Sequence, residues 1–349
     1  MPGFAIVGCG MIAGFHIKAL AELANCRVVA LVDQVPGLAQ KFSASSGLNC
    51  DAYNELGPAL ARKDVDVVII CTPSGAHMDS AVAAAQAGKH IVVEKPLEIT
   101  VERCDNIINA CDNNGVKLCT IFPSRFADAN RALKAAVDAG RFGRLTLGET
   151  TCKWWRSQAY YDKGGWRGTW ALDGGGALMN QAIHNVDLLL WMMGPATHVM
   201  GFTAMLAHER IEVEDTAVAC LRFASGALGV ILAATSVQPG LPKTIALHGD
   251  RGTALVEQED VLRWDFEPEL AEDQEVKQRF AQKVSASGGA SDPSAISHVY
   301  HARQLGDFVQ SLETGSKPLV DGREGRKAVE VIRAVYESSR TGQAVSLKA

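Results

Sequence analysis

The strongest constraint on the fold is an alternation of apolar, β-branched runs with helical stretches through the first third of the chain. FAIVGCG is typical of a strand that runs into glycines, MIAGFHIKALAEL of a helix, and RVVALVD of a second strand. The pattern continues through VDVVIICTPS, HMDSAVAAAQAGK (ended by Gly88) and HIVVEKP, then through a helix capped by Thr100 and the strand VKLCTIF. Strands that are buried on both faces and separated by helices indicate a parallel sheet. We therefore expect a doubly wound nucleotide-binding domain here.

A glycine signature, Gly8-x-Gly10-x-x-Ala13, lies between the first strand and the first helix. Gly8 permits the tight turn, Gly10 lets the backbone approach a diphosphate, and Ala13 keeps the helix close to the strand. Asp33 follows Ala13 by 20 residues, at the end of the second strand. Its carboxylate can bind the adenosine ribose diol of NAD and would repel the 2′-phosphate of NADP. Because residues 34–36 contain no arginine, NAD is favoured over NADP; the alternative for Asp33 is a plain turn residue.

From about Arg144 the pattern changes to successive strand-like runs joined by short turns. These runs are RLTLGETTCKWW, ATHVMGFTAML, DTAVACLRFA, ALGVILAATS, KTIALHGD, GTALVEQ and DVLRWDF. Strands that follow one another directly favour a mostly antiparallel sheet, so an α+β second domain is expected. Its open face must be covered by helices or by another subunit, which favours a homodimer or homotetramer. Two helices, in HVYHARQLGDFVQSLETG and GREGRKAVEVIRAVYESSRTG, close the chain.

The expected domains are therefore 1–122, the NAD-binding Rossmann domain, and 123–349, the substrate-binding and oligomerisation domain. For the final helix, at about 322–340, packing back on the first domain is the alternative to membership of the second. The segment 268–297 is polar, with SASGGASDPSAIS rich in small residues, and is interpreted as an excursion or a mobile loop.

Charge and cysteine content exclude several classes of partner. The net charge is −5 and the sequence pI is about 6.0, so no basic field attracts nucleic acid or an anionic membrane. No apolar run approaches the ~20 residues of a membrane helix, and the first strand begins too early to leave room for a signal peptide. The nine cysteines lack C-x-x-C or zinc-type spacing, which predicts reduced thiols, no metal site and a cytoplasmic protein. Cys9 and Cys71 are interpreted as small buried residues rather than catalytic thiols.

The segment VVEKPL places Lys95 at the C-terminal end of a parallel strand, where such sheets bind their ligands. Pro96 makes this position locally rigid, because proline fixes its own φ and restricts the residue before it. An ordinary surface lysine is the alternative interpretation.

DGGGALMNQAIHNVDLLLWMMG, which starts at Asp173, has the pattern of a helix that follows three glycines. At about 100° per residue, Asn180, His184 and Asp187 fall within a stripe of roughly 60°, which Trp191 continues. One interpretation is the solvated face of an amphipathic helix. The other is a site in which the glycines admit a backbone or a ligand and His184, held by amide and carboxylate neighbours, relays a proton.

Four of the six tryptophans fall within WWRSQAYYDKGGWRGTW, at residues 154–170. Aromatic faces such as Trp166 can bind the C–H surfaces of sugars, while Arg156, Arg167 and the Tyr160 hydroxyl can bind sugar hydroxyls or anionic groups. Packing of the aromatic side chains at a domain interface is the alternative.

These motifs resemble those of the Gfo/Idh/MocA oxidoreductases, the family of glucose–fructose oxidoreductase and inositol dehydrogenase. GCGMIAGFH is similar to the family's glycine-rich opening, with Ala13 in place of a glycine. CTPSGAHMDSAVAAAQAGKHIVVEKPL is similar to its T-P…H…E-K-P segment, GGGALMNQAIHNVDLLLWMMG to its G-G-G…I-H-x-x-D helix, and GREGRKAVEVIRAVYESSRTG to its closing helix. The resemblance implies a Rossmann domain, an open-faced and mostly antiparallel sheet domain, and a cis peptide before Pro96.

The resemblance also assigns roles to individual residues. It implies that Lys95 and His184 are catalytic. The expected cofactor site is formed by Gly8, Gly10, Met11, Ile12, Asp33, Thr72, Pro73, His77, Glu94 and Lys95. The expected substrate-binding residues are Asn180, Arg125, Arg156, Tyr160, Trp166 and Asp187.

Asn180 departs from the family, because many members have an aspartate four residues before the histidine. An amide cannot take up a proton, so Asn180 should orient the substrate or His184. The expected reaction is removal of a hydroxyl proton, by His184 with Lys95 polarising the oxygen, as hydride leaves for nicotinamide. Inositols, free or anhydro-sugars and nucleotide-linked sugars all stay open as substrates. An NAD-dependent glycoside hydrolase and a non-catalytic NAD-sensing regulator are the alternative functions.

Overall fold

The computed structural model describes residues 1–48, 50–163, 165–281 and 297–347. The chain divides into two compact units, Met1–Pro123 with Ser297–Val329, and Ser124–Ile296 with Glu330–Ala349. The helix Gly322–Thr341 therefore contributes residues to both units. None of the helices in the described part of the chain is long and apolar enough to cross a membrane.

Strands and helices are numbered along the chain. The strands are β1 (Gly3–Val7), β2 (Arg27–Val32), β3 (Asp51–Tyr53), β4 (Val67–Ile70), β5 (His90–Val93), β6 (Leu118–Thr120), β7 (Leu145–Lys153), β8 (Ala196–Ala204), β9 (Thr216–Phe223), β10 (Leu228–Ala234), β11 (Thr244–Gly249), β12 (Gly252–Glu257), β13 (Asp260–Phe266) and β14 (Val345–Ser346). The helices are α1 (Met11–Ala21), α2 (Leu38–Ser46), α3 (Leu56–Leu60), α4 (His77–Gln86), α5 (Val101–Asn113), α6 (Asp128–Asp138), α7 (Gln158–Asp162), α8 (Ile183–Met193), α9 (Ala271–Arg279), α10 (Val299–Thr314) and α11 (Gly322–Thr341).

The first unit is built on a parallel sheet with strand order β3-β2-β1-β4-β5-β6. Every residue of β1 and β4 is buried, as expected for strands covered by helices on both faces. Strand order reverses direction between β1 and β4, the place where the carboxyl ends of a doubly wound sheet open a crevice for a ligand. The predicted nucleotide-binding fold is confirmed. The short elements α2, β3 and α3 are additions that the sequence pattern did not predict.

The second unit is built on a mixed sheet with strand order β13-β12-β11-β7-β10-β9-β8-β14. The β7–β10 pair is parallel and the other pairs are antiparallel, which confirms the expected α+β domain. Alternation along β9 buries Ala217, Ala219 and Leu221 on one face and exposes Val218 and Cys220 on the other. Helix α8 packs on β7 and β11, so the sheet has an inner face toward α8 and an outer face.

The polar stretch at 268–297 was predicted as a loop, and this is wrong for its first part. Residues Ala271–Arg279 form α9, because the Asp273 carboxylate accepts a hydrogen bond from the Leu270 amide at the start of the helix, at 2.8 Å. The same carboxylate accepts a hydrogen bond from Trp264 Nε1 at 2.9 Å, which ties α9 to β13. Residues 282–296, which hold the small-residue run, lie outside the described residues.

Candidate active-site residues

The turn between β1 and α1 has the geometry that a dinucleotide diphosphate requires. Gly8 has φ of 92°, and a Cβ there would lie 2.8 Å from the carbonyl carbon of Cys71, so only glycine fits. A Cβ on Gly10 would meet nothing within 4 Å, which leaves open space above the start of α1. No side chain caps this helix, so the amides of Met11 and Ile12 are available to an anion. These features fit the diphosphate of NAD.

Asp33 lies half-buried beside this turn, and its carboxylate is held by two backbone amides. Cys9 N donates to Oδ2 at 2.8 Å, and Val35 N donates to Oδ1 at 2.9 Å. A carboxylate accepts about four hydrogen bonds, so Asp33 keeps capacity for the two hydroxyls of a ribose. Its orientation is fixed before the ligand arrives.

His77 joins the loop after β4 to the loop after β5. Its ring nitrogens lie 2.9 Å from the Pro96 carbonyl oxygen and 3.0 Å from that of Thr72, and burial lowers the pKa of His77. Thr72 and Pro73 are half-buried, and the Lys95–Pro96 peptide is cis, as the family resemblance implies. His77 therefore fixes the backbone on which Lys95 stands.

Glu94 is buried and holds the backbone of Lys95, whose amide donates to Glu94 Oε2 at 3.2 Å. The other oxygen, Oε1, lies 2.7 Å from His16 Nε2 and 3.8 Å from His301 Nε2. Burial acts to raise the pKa of Glu94, but the hydrogen bond from His16 and the electrostatic effects of His16, His301 and Lys95 bring it down to about 2. Sequence reasoning did not assign His16 or His301. His16 stands in the quoted GCGMIAGFH motif, whereas nothing in the sequence connects His301 to this position.

The helix that carries His184 does not begin as a regular α-helix. Residues Ala177–Ala182 form a π-helical turn, and α8 starts at Ile183. A Cβ on Gly176 would lie 1.8 Å from the Glu214 carbonyl oxygen, and one on Gly175 would lie 2.0 Å from Tyr336 Oη. The glycines therefore admit the protein's own backbone and side chain. Short π-helical turns are frequent at functional sites.

Glu214 fixes the start of this π-helical turn. Its Oε2 accepts a hydrogen bond from Gly176 N at 2.9 Å, and its Oε1 accepts from Leu178 N at 2.8 Å and from Tyr336 Oη at 3.0 Å. Burial raises the pKa of Glu214 to about 7, against the opposing effect of these donors. Glu214 lies far along the chain between two strands, and no sequence pattern singles it out.

Asn180 is oriented by a buried carboxylate that the sequence analysis did not assign. Asn180 Nδ2 donates to Asp173 Oδ1 at 2.5 Å, and Gly168 N donates to Asp173 Oδ2 at 2.9 Å. The amide oxygen of Asn180 accepts from Gln181 Nε2 at 3.0 Å. Asn180 and His184 are both half-buried, the state expected of side chains that meet a ligand.

Asp187 and Arg125 bind each other in a buried, bidentate ion pair. Arg125 Nε donates to Oδ2 at 2.9 Å and Nη2 donates to Oδ1 at 2.7 Å, and each residue is 1 % exposed. The guanidinium also lies 5.3 Å from the centre of the Trp191 ring. The solvated-face interpretation is therefore wrong for Asp187, because Arg125 covers its carboxylate.

The aromatic segment before the helix is anchored through Arg156 and Gln181. Arg156 is buried over the Trp154 ring at 4.9 Å, and its Nη2 donates to Gln181 Oε1 at 3.0 Å. Gln181 Nε2 donates to Tyr160 Oη at 3.1 Å. Arg167 lies over the rings of Tyr160 and Trp166, at 4.9 Å from each. Tyr160, Trp166 and Arg167 are half-buried, whereas Arg156 is fully buried.

Two family models match the chain. Residues 3–122 match the oxidoreductase family with an NAD-binding Rossmann fold, and residues 130–255 match the GFO/IDH/MocA C-terminal domain. These features define an NAD-dependent oxidoreductase. The chain belongs to the Gfo/Idh/MocA family, as its motifs imply, and NAD is its cofactor.

Relatives extend along the full chain. The WlbA dehydrogenase from Bordetella pertussis, solved with NADH and UDP-GlcNAcA, is 34% identical with a TM-score of 0.91, over 100% of this chain and 98% of that one. The WlbA enzyme from Chromobacterium violaceum, solved with the same two molecules, is 34% identical with a TM-score of 0.88, over 99% and 96%. Inositol 2-dehydrogenase of Rhizobium meliloti is 23% identical, over 99% of this chain and 98% of its own.

These relatives confirm the expected class, a dehydrogenase acting on the CH–OH group of a sugar or polyol. All three are dehydrogenases, so neither the glycoside-hydrolase alternative nor the regulator alternative is favoured. Within the described residues, no group of three or more His, Cys, Asp or Glu side chains could hold a metal ion.

Proposed function

We propose that this chain oxidises a secondary alcohol of a nucleotide-linked sugar that carries a carboxylate. The observation that carries the proposal is the full-length likeness to two dehydrogenases solved with NADH and UDP-GlcNAcA. The cationic and aromatic side chains of Arg167, Tyr160 and Trp166 support it, because they combine surfaces for sugar rings with a charge for anionic oxygens.

Lys95 and His184 are proposed as the catalytic residues. NAD, when bound, supplies the acceptor for the hydride that leaves the alcohol carbon. His184 removes the hydroxyl proton, so that the C–O bond becomes a carbonyl while hydride and proton leave separately. The Lys95 ammonium donates a hydrogen bond to the same oxygen and stabilises its developing negative charge. In the reverse direction His184 returns the proton. The Glu94 contact with the Lys95 amide supports this role, because it fixes the backbone of the lysine.

Asn180, Tyr160, Trp166 and Arg156 are proposed to orient the sugar, directly or through Gln181. Asn180 cannot relay a proton, and its contact with Asp173 supports a purely orienting role. Arg125 and Asp187 are proposed to support the substrate site indirectly, by holding α8 in place. Their charges neutralise each other within the buried ion pair.

In the first unit, Gly8, Gly10, Met11 and Ile12 are proposed to bind the diphosphate of NAD, and Asp33 the adenosine ribose. Thr72 and Pro73 are proposed to line the same crevice, with His77 and Glu94 acting through the backbone of Lys95.

The test is NADH formation by the purified protein with a matched panel of UDP-GlcNAcA, UDP-GlcNAc, glucuronate, glucose and myo-inositol. We expect turnover of UDP-GlcNAcA with NAD, and weaker turnover with NADP. Efficient oxidation of myo-inositol with no reaction of any acid would overturn the proposed substrate while leaving the enzyme class intact. Release of sugar from an aryl glycoside without net NADH would point instead to the hydrolase alternative.

A second copy of the chain is proposed to cover the outer face of the eight-stranded sheet, giving a homodimer or homotetramer. Phe202 and Val218 pair across β8 and β9 on this face and are 67% and 45% exposed. Together with Met200, Leu228 and Leu147 they form an apolar surface of the kind that subunits bury. Light scattering should give a multiple of 37.2 kDa for the wild type and a smaller mass for Phe202→Lys. A monomeric wild type would contradict this assembly.

A cytoplasmic location is also proposed. All nine cysteines lie in the described residues and none forms a disulfide there, which supports a reducing compartment.

A further inference from the structure

A lysine immediately before β11 takes no part in the reaction proposed above. Lys243 directly precedes β11, whose first residue, Thr244, pairs with Thr151 of β7. Along β7, Thr150 and Cys152 are buried on the inner face and Thr151 points to the other face. Alternation therefore places Lys243 on the inner face, across from Cys152, and the Asn185 contacts described below bring α8 to this part of the sheet.

The charged ammonium of Lys243 has an uncharged hydroxyl as its hydrogen-bond partner. Its ammonium donates to Ser124 Oγ at 3.1 Å and forms no ion pair with a carboxylate in the described parts of the chain. Burial lowers the pKa of Lys243, against opposing electrostatic effects of Cys152 and Glu259. Lys243 is half-buried, and an ammonium that is partly removed from water with one neutral hydroxyl as its acceptor is stabilised by an anionic ligand.

The same face carries two further buried polar atoms that need partners. Asn185 directs its Nδ2 to Thr150 Oγ1 at 2.8 Å and to the Thr244 carbonyl at 3.1 Å, while its Oδ1 is buried with no hydrogen-bond partner among the described residues. Trp154 is likewise buried, and its Nε1 has no partner in that part of the chain. Buried polar atoms are nearly always satisfied, so such atoms indicate a missing water or ligand.

We propose that Lys243 binds an anionic oxygen group of the substrate, with Asn185 Oδ1 and Trp154 Nε1 as neighbouring sites for a sugar hydroxyl and a sugar oxygen. Asn185 directly follows His184 in α8, so the helix that packs on this face of the sheet also carries the residue proposed to take the proton. The inference rests on the proposed function and deepens it, because it names Lys243 as the residue that binds an anionic group of the substrate. Two groups have the required chemistry, the carboxylate of the sugar and the diphosphate of the nucleotide.

The experiment measures binding by calorimetry with the NADH-loaded enzyme, so that no turnover is needed. The probes are UDP-GlcNAcA, UDP-GlcNAc, glucuronate and glucose. The variant is Lys243→Met, which keeps the length of the side chain and removes its charge. Lys153→Met is the matched control, because Lys153 lies on β7 beside Cys152 but points to the opposite face. Loss of a charged hydrogen bond should weaken binding about 10- to 100-fold.

If Lys243 binds the carboxylate, Lys243→Met weakens the binding of UDP-GlcNAcA and of glucuronate by that factor and leaves the binding of UDP-GlcNAc unchanged. Equal weakening of both nucleotide sugars supports the anion site and assigns it to the diphosphate. The inference is overturned if Lys243→Met binds UDP-GlcNAcA, UDP-GlcNAc and glucuronate as tightly as the wild type does, or if the wild type binds none of these three anionic probes. The proposed function fails separately, if UDP-GlcNAcA binds but forms no NADH. A raised KM with little change in kcat for any acid substrate separates this role from a loss of folding, which thermal melting of each variant checks.

Discussion

Removal of the carboxylate from the Arg125–Asp187 pair should destabilise the second unit strongly. Both side chains are almost fully buried, at 2% and 1% exposure, and the pair has two hydrogen bonds of 2.9 and 2.7 Å. Asp187→Ala leaves the guanidinium in the interior without that carboxylate. Breaking a buried pair in this way costs about 3–5 kcal/mol of the free energy of unfolding. For a unit of this size, that cost lowers Tm by roughly 6–20 °C.

The assay is thermal and urea unfolding of Asp187→Ala, Arg125→Met and the double variant. Because the double variant has no unmatched charge, it should recover much of the lost stability, and the coupling free energy follows from the cycle. Asp162→Ala is the matched control, since Asp162 forms a similar two-bonded pair with Arg210 at the surface and its loss should not measurably change stability. A cost of Asp187→Ala no larger than that of the control, or a double variant as unstable as the sum of its parts, would refute this reasoning.

Three further outcomes follow from the geometry of both units. Asp33→Ala should raise the KM for NAD by about 10-fold or more and reduce the preference for NAD over NADP. The substitution removes both the hydrogen-bond acceptor for the ribose and the charge that repels the 2′-phosphate of NADP; unchanged NAD kinetics would contradict this. Gly176→Ala should abolish activity and lower Tm, because its Cβ would lie 1.8 Å from the Glu214 carbonyl oxygen; a variant with wild-type melting would show that the backbone relaxes freely. The pKa of Glu214 is raised from 4.5 to about 7 in the folded chain, so the folded state binds its proton more tightly and this contribution to stability falls as pH rises from about 4.5 to about 7. Glu214→Gln should flatten that part of the pH profile of Tm, and an unchanged slope would exclude Glu214 as its source.

Local patterns in the sequence predicted most of the fold. The strands of both sheets follow from β-branched runs and from alternation. Gly88 ends one helix and Thr100 begins the next, as expected: Gly88 has φ of 71°, and Thr100 accepts a hydrogen bond from Arg103 N at 3.2 Å. The exceptions are short or locally ambiguous. The three-residue strand Asp51–Tyr53 is too brief to have a period, and α9 is polar enough to resemble a loop.

The site was less predictable, because its geometry depends on contacts between distant parts of the chain. A constant 100° per residue did not predict the π-helical turn before His184, which Glu214 stabilises from 38 and 36 residues away. The Arg125–Asp187 pair joins positions 62 apart, so the sequence presented two separate ligand-binding candidates rather than one ion pair. His301 reaches Glu94 from the far end of the chain. None of these partners leaves a local signal.

Lys95 is proposed to act in the chemical step, and its contribution to holding the cofactor is expected to be small by comparison. The direct test is a comparison of NADH binding with single-turnover NADH formation for the wild type and Lys95→Met, using the best substrate of the panel. We expect NADH to bind the variant within about threefold of the wild type while hydride transfer slows by about 100-fold or more. Hydride transfer at a near wild-type rate in Lys95→Met, with NADH bound normally, would contradict the account.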